Sequence, residues 1–124
     1  MKTWIAAILG AASTLNGVFM LMAGSRWYET IPGVTHTGPF NPHFVADIGA
    51  AYLAGGLALA ARAWRTRYWP AAVAGAGFFA LHAIIHVGDI AAGHAESPPV
   101  DVFLVILPAA LALWAAFPDR HDLL

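Results

Sequence analysis

The sequence predicts an all-α integral membrane four-helix bundle with both termini cytoplasmic, and three observations predict it. Of 124 residues, 60% are hydrophobic and only 10% are charged, whereas soluble domains carry about 25% charge. Mean hydropathy is +0.67. Four long apolar runs, at 3–24, 42–61, 70–92 and 99–117, each match the roughly 20 residues that cross a bilayer as a helix. They make residues 1–124 a single four-span domain.

Span 1, from Thr3 to Gly24, is uncharged. It is long for a signal-peptide core, and Leu21-Met22-Ala23 is a poor cleavage site, so a retained helix is expected. Span 2 opens at Asn41-Pro42, a capping residue followed by proline at the first helical position. It is expected to end before Arg62. Only residues 48–61 separate Asp47 from Arg62, about 21 Å of helix against about 30 Å of hydrocarbon. The helix therefore carries His43 and Asp47 into, or just under, the interface. Span 3 opens at Trp69-Pro70 and ends near Gly93, a candidate left-handed cap. Span 4 starts at Pro98-Pro99, and Pro108 inside it should kink the helix or free a carbonyl.

Lys2, Arg62, Arg65, Arg67 and Arg120 fall on one side of this topology and Arg26 alone on the other. The positive-inside rule then places both termini in the cytoplasm and the loops Ser25–Phe40 and His94–Ser97 outside. Glu29, Asp47, Asp89, Glu96 and Asp101 gather toward the outer end, which would concentrate cations. Numerous glycines and alanines, including Gly10, Gly17, Gly49 and Gly56, allow close helix approach. A net charge of −1 with no basic patch argues against nucleic acid, and the absence of cysteine excludes disulfides and thiolate ligands.

Two ionisable constellations lie within the spans: His43-x3-Asp47 and His82-x3-His86-x2-Asp89. Such groups are costly in a bilayer and tend to mark function or a partner. The antiparallel course of spans 2 and 3 is expected to bring His43, Asp47, His86 and Asp89 together near the outer face. Nitrogen and oxygen donors there suit a divalent transition metal, Zn²⁺ or Fe²⁺ more than Cu²⁺, with haem the weaker candidate. His82 lies deeper, about 15 Å of helix from Gly93, and needs a partner. Asn16 is the candidate, so His82 and Asn16 read as cofactor-binding. The plainer reading is a structural or proton-relay network that fixes helix register. His36 and His94 read as solvated loop histidines, Asp101 as a first-turn residue favoured by the helix dipole, and His121 receives no role.

The stretch TGPFNPHFVADIGAAY, Thr37–Tyr52, resembles a signature of small four-helix bacterial membrane proteins, and the layout of the whole chain is similar to that of DoxX-like proteins. That resemblance implies a bacterial inner membrane and an association with redox chemistry, but it carries no catalytic residue. The expected protein is a multi-pass inner-membrane protein with a His/Asp metal site near the outer face. As an enzyme it would act on a lipid-soluble substrate. The alternatives are a structural or accessory subunit, as a homo-oligomer or in a larger membrane complex, and a cation- or proton-handling protein.

Overall fold

The computed structural model describes residues 1–119; Arg120 and His121 lie outside them. Those residues are all-α, 84% in helix with no strand. Helix α1 spans Lys2–Met22, α2 Gly24–Thr30, α3 Pro42–Trp64 and α4 Trp69–Ala92. A last rod, Pro98–Ala116, contains α5 (Pro98–Asp101), a π-helical turn (Val102–Ile106) and α6 (Leu107–Ala116). Four of these stretches are long and apolar enough to cross a membrane.

The local signals explain most boundaries. The Asn41 side chain accepts a hydrogen bond from the Phe44 N–H at 3.1 Å, and Pro42 follows it. Gly93 ends α4 at φ 73°, a left-handed conformation that glycine adopts without a Cβ clash. Pro108 deprives an α-helix of the N–H that would meet the carbonyl of Leu104. The chain responds just upstream with a π turn, in which the N–H of Leu107 bonds Val102 O, five residues back.

Two boundaries differ from expectation. α3 does not end before Arg62 but continues to Trp64, with Arg62 only 1% exposed. The guanidinium donates to Thr3 Oγ1 of α1 at 3.3 Å, so the charge is housed inside the bundle and the helix passes it. The first loop also begins as a helix, α2, rather than as irregular chain.

The spans pack in sequence around a ring: α1 on α3, α3 on α4, α4 on the last rod, and α6 back on α1. In the tightest pair, Gly10 lies against Gly56 and Gly17 against Gly49. Small residues fill the interior: Ala6, Ala72, Ala76, Ala112, Ala115 and Ala116 are at most 2% exposed. Large residues point outward: Trp4, Ile8, Leu15, Leu81, Ile84 and Phe103 are 64% exposed or more. That arrangement reverses a soluble core and is what lipid favours, where helices associate through close packing of small side chains.

At the end that holds both Met1 and Asp119 (the termini end of the described chain), Lys2 Nζ meets Asp119 at 2.9 Å and Phe117 O at 3.2 Å. It also lies 5.3 Å from the Trp114 ring. This termini end also carries the turn between α3 and α4. The opposite, loop end carries α2 and both longer connections.

Candidate functional site

The structure separates the residues that the sequence places together. His43 Nε2 and Asp47 Oδ2 approach to 3.5 Å one turn apart, but their side chains are 90% and 64% exposed. α3 buries Val45 and Gly49 at this level. Asp47 is two positions from each, about 200° round the helix, so it points out of the bundle. Asp89 is exposed as well. The inward stripe of α4 runs Ala72, Ala76, Phe79 and Ala83 and continues in steps of three and four to His86 and Ile90, leaving Asp89 off it. His43, Asp47, His86 and Asp89 therefore do not converge. Among the described residues no three His, Asp or Glu side chains form a group that could hold a metal ion.

His86 instead turns to the last rod. Its Nδ1 lies 3.0 Å from Asp101 Oδ1, with side chains only 23% and 19% exposed. An ionised carboxylate can only accept, so the proton of a neutral His86 sits on Nδ1 and Nε2 is left as the base. Asp101 lies in the first turn of its rod, where the helix dipole favours negative charge. One turn toward the centre of α4, the His82 ring packs edge-on against His86 with centroids 4.8 Å apart. Beyond it stands Tyr52 of α3, 6.1 Å from the His82 centroid and again edge-on. Phe78 stacks on His82 at 6.1 Å, and Phe78 and Phe79 each lie 5.4 Å from Tyr52.

The result is a row, Asp101–His86–His82–Tyr52, descending from the loop end toward mid-span with aromatic rings along it. Among the described residues neither the His82 ring nor the Tyr52 hydroxyl has a hydrogen-bond partner. Asp101 and Tyr52 escape a reading based on spacing within one helix, because each belongs to a different span from the histidines. A hairpin argument could have found Asp101: Gly93 and His94 lie midway between it and His86. For Tyr52 the signal is the close crossing of Gly55 and Gly75, which sets the phenol opposite Phe78 and Phe79.

Asn16 is not the partner of His82. Its Oδ1 accepts from Trp27 Nε1 at 2.8 Å, tying α2 down onto α1. Tyr28 holds the same loop by donating to Gly38 O at 2.6 Å and by packing its ring on Phe40. His36 pairs with Glu96 at 3.0 Å across the two loops, both exposed, while His94 is exposed and uses its backbone N–H on Asp89 O. Trp27→Phe should lower stability by about 1 kcal/mol, the usual net worth of one such bond. It should also release α2 to protease without changing the His86 environment; chemical denaturation with limited proteolysis checks both.

Two apolar grooves line the bundle surface. One of about 260 Å³ runs between α4 and the last rod, and one of about 430 Å³ between α3 and α4. Neither is lined by a histidine or carboxylate, but Phe78, which walls the second, also stacks on His82. Chemically, the row offers a carboxylate-oriented base, a second imidazole and a phenol. No family model, curated protein or solved structure matches this chain.

Proposed function

We propose that this is a multi-pass protein of the bacterial inner membrane, termini cytoplasmic, that exchanges a proton with a lipid-soluble small molecule in the outer half of the bilayer. The observation that carries the reading is His82, an imidazole without a hydrogen-bond partner beside an equally unpartnered Tyr52 and a carboxylate-oriented His86. Polar groups left unmatched within hydrocarbon cost several kcal/mol each. A visiting molecule with its own donor and acceptor removes that cost. The row lies within the spans beside Phe78 and Phe79, so entry from the lipid phase fits better than entry from water. Basic residues support the orientation: Lys2, Arg62, Arg65 and Arg67 lie at the termini end and Arg26 at the other.

Conduction across the membrane is the weaker use of the same residues. Below Tyr52 lie Leu59, Ala72, Ala76, Ala112 and Ala116, the buried Thr14 hydroxyl and, at the termini end, Arg62 on Thr3; none is a base that takes up a proton at neutral pH. The row is open at one end and closed at the other, as a local exchange site requires. In the exchange, His86 Nε2 accepts a proton from the molecule bound at His82, and Asp101 on His86 Nδ1 stabilises the imidazolium formed. A long-chain alkylphenol titrated into nanodisc-reconstituted protein, with a pH dye present, tests this. Saturable binding accompanied by a proton change is expected, weakened at least about tenfold by His82→Ala, the effect of losing roughly 1.4 kcal/mol of hydrogen bonding. Equal binding by wild type and His82→Ala would overturn the reading.

A further inference from the structure

The turn between α3 and α4 reads Trp64-Arg65-Thr66-Arg67-Tyr68-Trp69 and brings two rings and two guanidiniums into contact. The Arg65 guanidinium lies 4.8 Å from the Trp64 ring centroid. Trp64 and Tyr68 stack at 6.2 Å and 18°. Arg67 lies 5.0 Å from the Tyr68 centroid and donates to its hydroxyl oxygen at 3.1 Å. Two cation–ring contacts and one ring–ring contact thus link the four side chains, with Trp64 71% exposed.

The termini end sorts its basic side chains. Arg62 is turned inward to Thr3, and Lys2 is paired with Asp119. Arg65 and Arg67 are exposed, and among the described residues neither has a carboxylate partner. Both exposed guanidiniums are held on ring faces, at the level where two apolar helices end. Tryptophan and tyrosine settle at the headgroup layer of a bilayer. Guanidinium matches phosphate oxygens as a planar fork, and holding it on a ring reduces the rotamer freedom lost on binding.

We propose that Arg65 and Arg67, braced by Trp64 and Tyr68, bind the phosphate of an anionic phospholipid at the termini-side face of the membrane. This rests on the reading that the four helices span a bilayer, and is independent of the proton-exchange site. An anionic lipid carries net charge that a zwitterionic one cancels with its own ammonium, so the pair discriminates between them. Each basic residue near an anionic surface contributes about fivefold in affinity.

The test is lipid retention. Protein reconstituted with equal phosphatidylglycerol and phosphatidylcholine is released into detergent, and bound lipid is counted by native mass spectrometry. Wild type is expected to retain phosphatidylglycerol preferentially, with the preference falling about fivefold in Arg65→Gln and again in Arg67→Gln. Arg26→Gln, at the opposite end, should keep the wild-type preference. An unchanged preference in the double variant overturns the proposal, and so does displacement of the lipid by inorganic phosphate, which would mark a free-anion site. Alkaline carbonate extraction of the same variants reads membrane insertion by itself, so a failure of the spanning reading is distinguished from a failure of lipid recognition.

Discussion

Gly56→Leu abolishes the packed bundle, while Gly77→Leu leaves it intact or slightly stabilised. A Cβ at Gly56 would lie 2.5 Å from the Thr14 backbone nitrogen and 2.8 Å from Gly10 O. Gly17 is equivalent, with Leu53 N at 2.5 Å and Gly49 O at 2.6 Å. These neighbours are mainly backbone of the facing helix, so relief requires α1 and α3 to separate along their length. Overpacking by one methylene costs about 1–3 kcal/mol where side chains can give way; here they cannot, and association in lipid depends on that close approach. Gly77 has nothing within 4 Å of its added Cβ. Leucine there gains up to about 1 kcal/mol in helix propensity, which removes propensity as an explanation of the Gly56 loss. Unfolding midpoints in mild detergent give the comparison, and equal midpoints for the two variants would refute the glycine contact.

Asp101→Ala is expected to destabilise the protein by about 1–3 kcal/mol, the cost of stranding the His86 Nδ1 proton in an apolar setting. His86→Leu strands the carboxylate and should cost at least as much. The double variant Asp101→Leu/His86→Leu should recover most of that loss, because no unpaired group remains. Alkylphenol binding should follow another pattern, weakened in all three. His43→Ala and Asp47→Ala should each fall within about 0.5 kcal/mol of wild type, as exposed pairs do. Denaturation of the five variants decides the matter: a loss for Asp47→Ala as large as for Asp101→Ala would return importance to the α3 pair.

The four long helices were legible because each is an apolar run of sufficient length, and three of them also carry a proline at entry, with Asn41 capping the start of α3 and Gly93 the end of α4. Two histidines of the row, His82 and His86, were legible from their spacing on one helix. Their partners were not, since i, i+3 and i, i+4 arithmetic finds neighbours within a helix only. That arithmetic favoured Asp89 for His86, three residues on, whereas the contact lies across the hairpin at Asp101. It paired His43 with Asp47 correctly but could not say that the pair faces outward, which depends on the glycines that α3 turns toward α1. Arg62 misled for a related reason. A lone charge reads as the end of a span when the chain is read without the Thr3 hydroxyl that meets it. Helix α2 was hidden by its shortness, being held by Trp27 on Asn16 rather than by an apolar face of its own.

The π turn at Val102–Ile106 bears on how such a site could arise. Counting back from Ala116 through Ala112 and Ala109 in α-helical steps of four and three reaches Val105 and then Val102. Yet Val102 is 39% exposed while the Asp101 side chain is only 19% exposed. The wider turn accommodates one more residue than an α-helix would, and that extra residue rotates Asp101 by about 100° into the seam with His86. Closing the turn into ordinary α-helix with every residue kept would present Val102 to His86 and turn Asp101 outward. Deleting one residue of the turn as it closes would instead leave Asp101 seven positions before Ala109 and still in the seam. The meeting of the acid and the imidazole is thus a property of helical phase as much as of side-chain identity. A chain with one position missing between Asp101 and Pro108 would keep the pair on an uninterrupted α-helix, whereas one that keeps every position but closes the π turn would keep the fold and lose the pair.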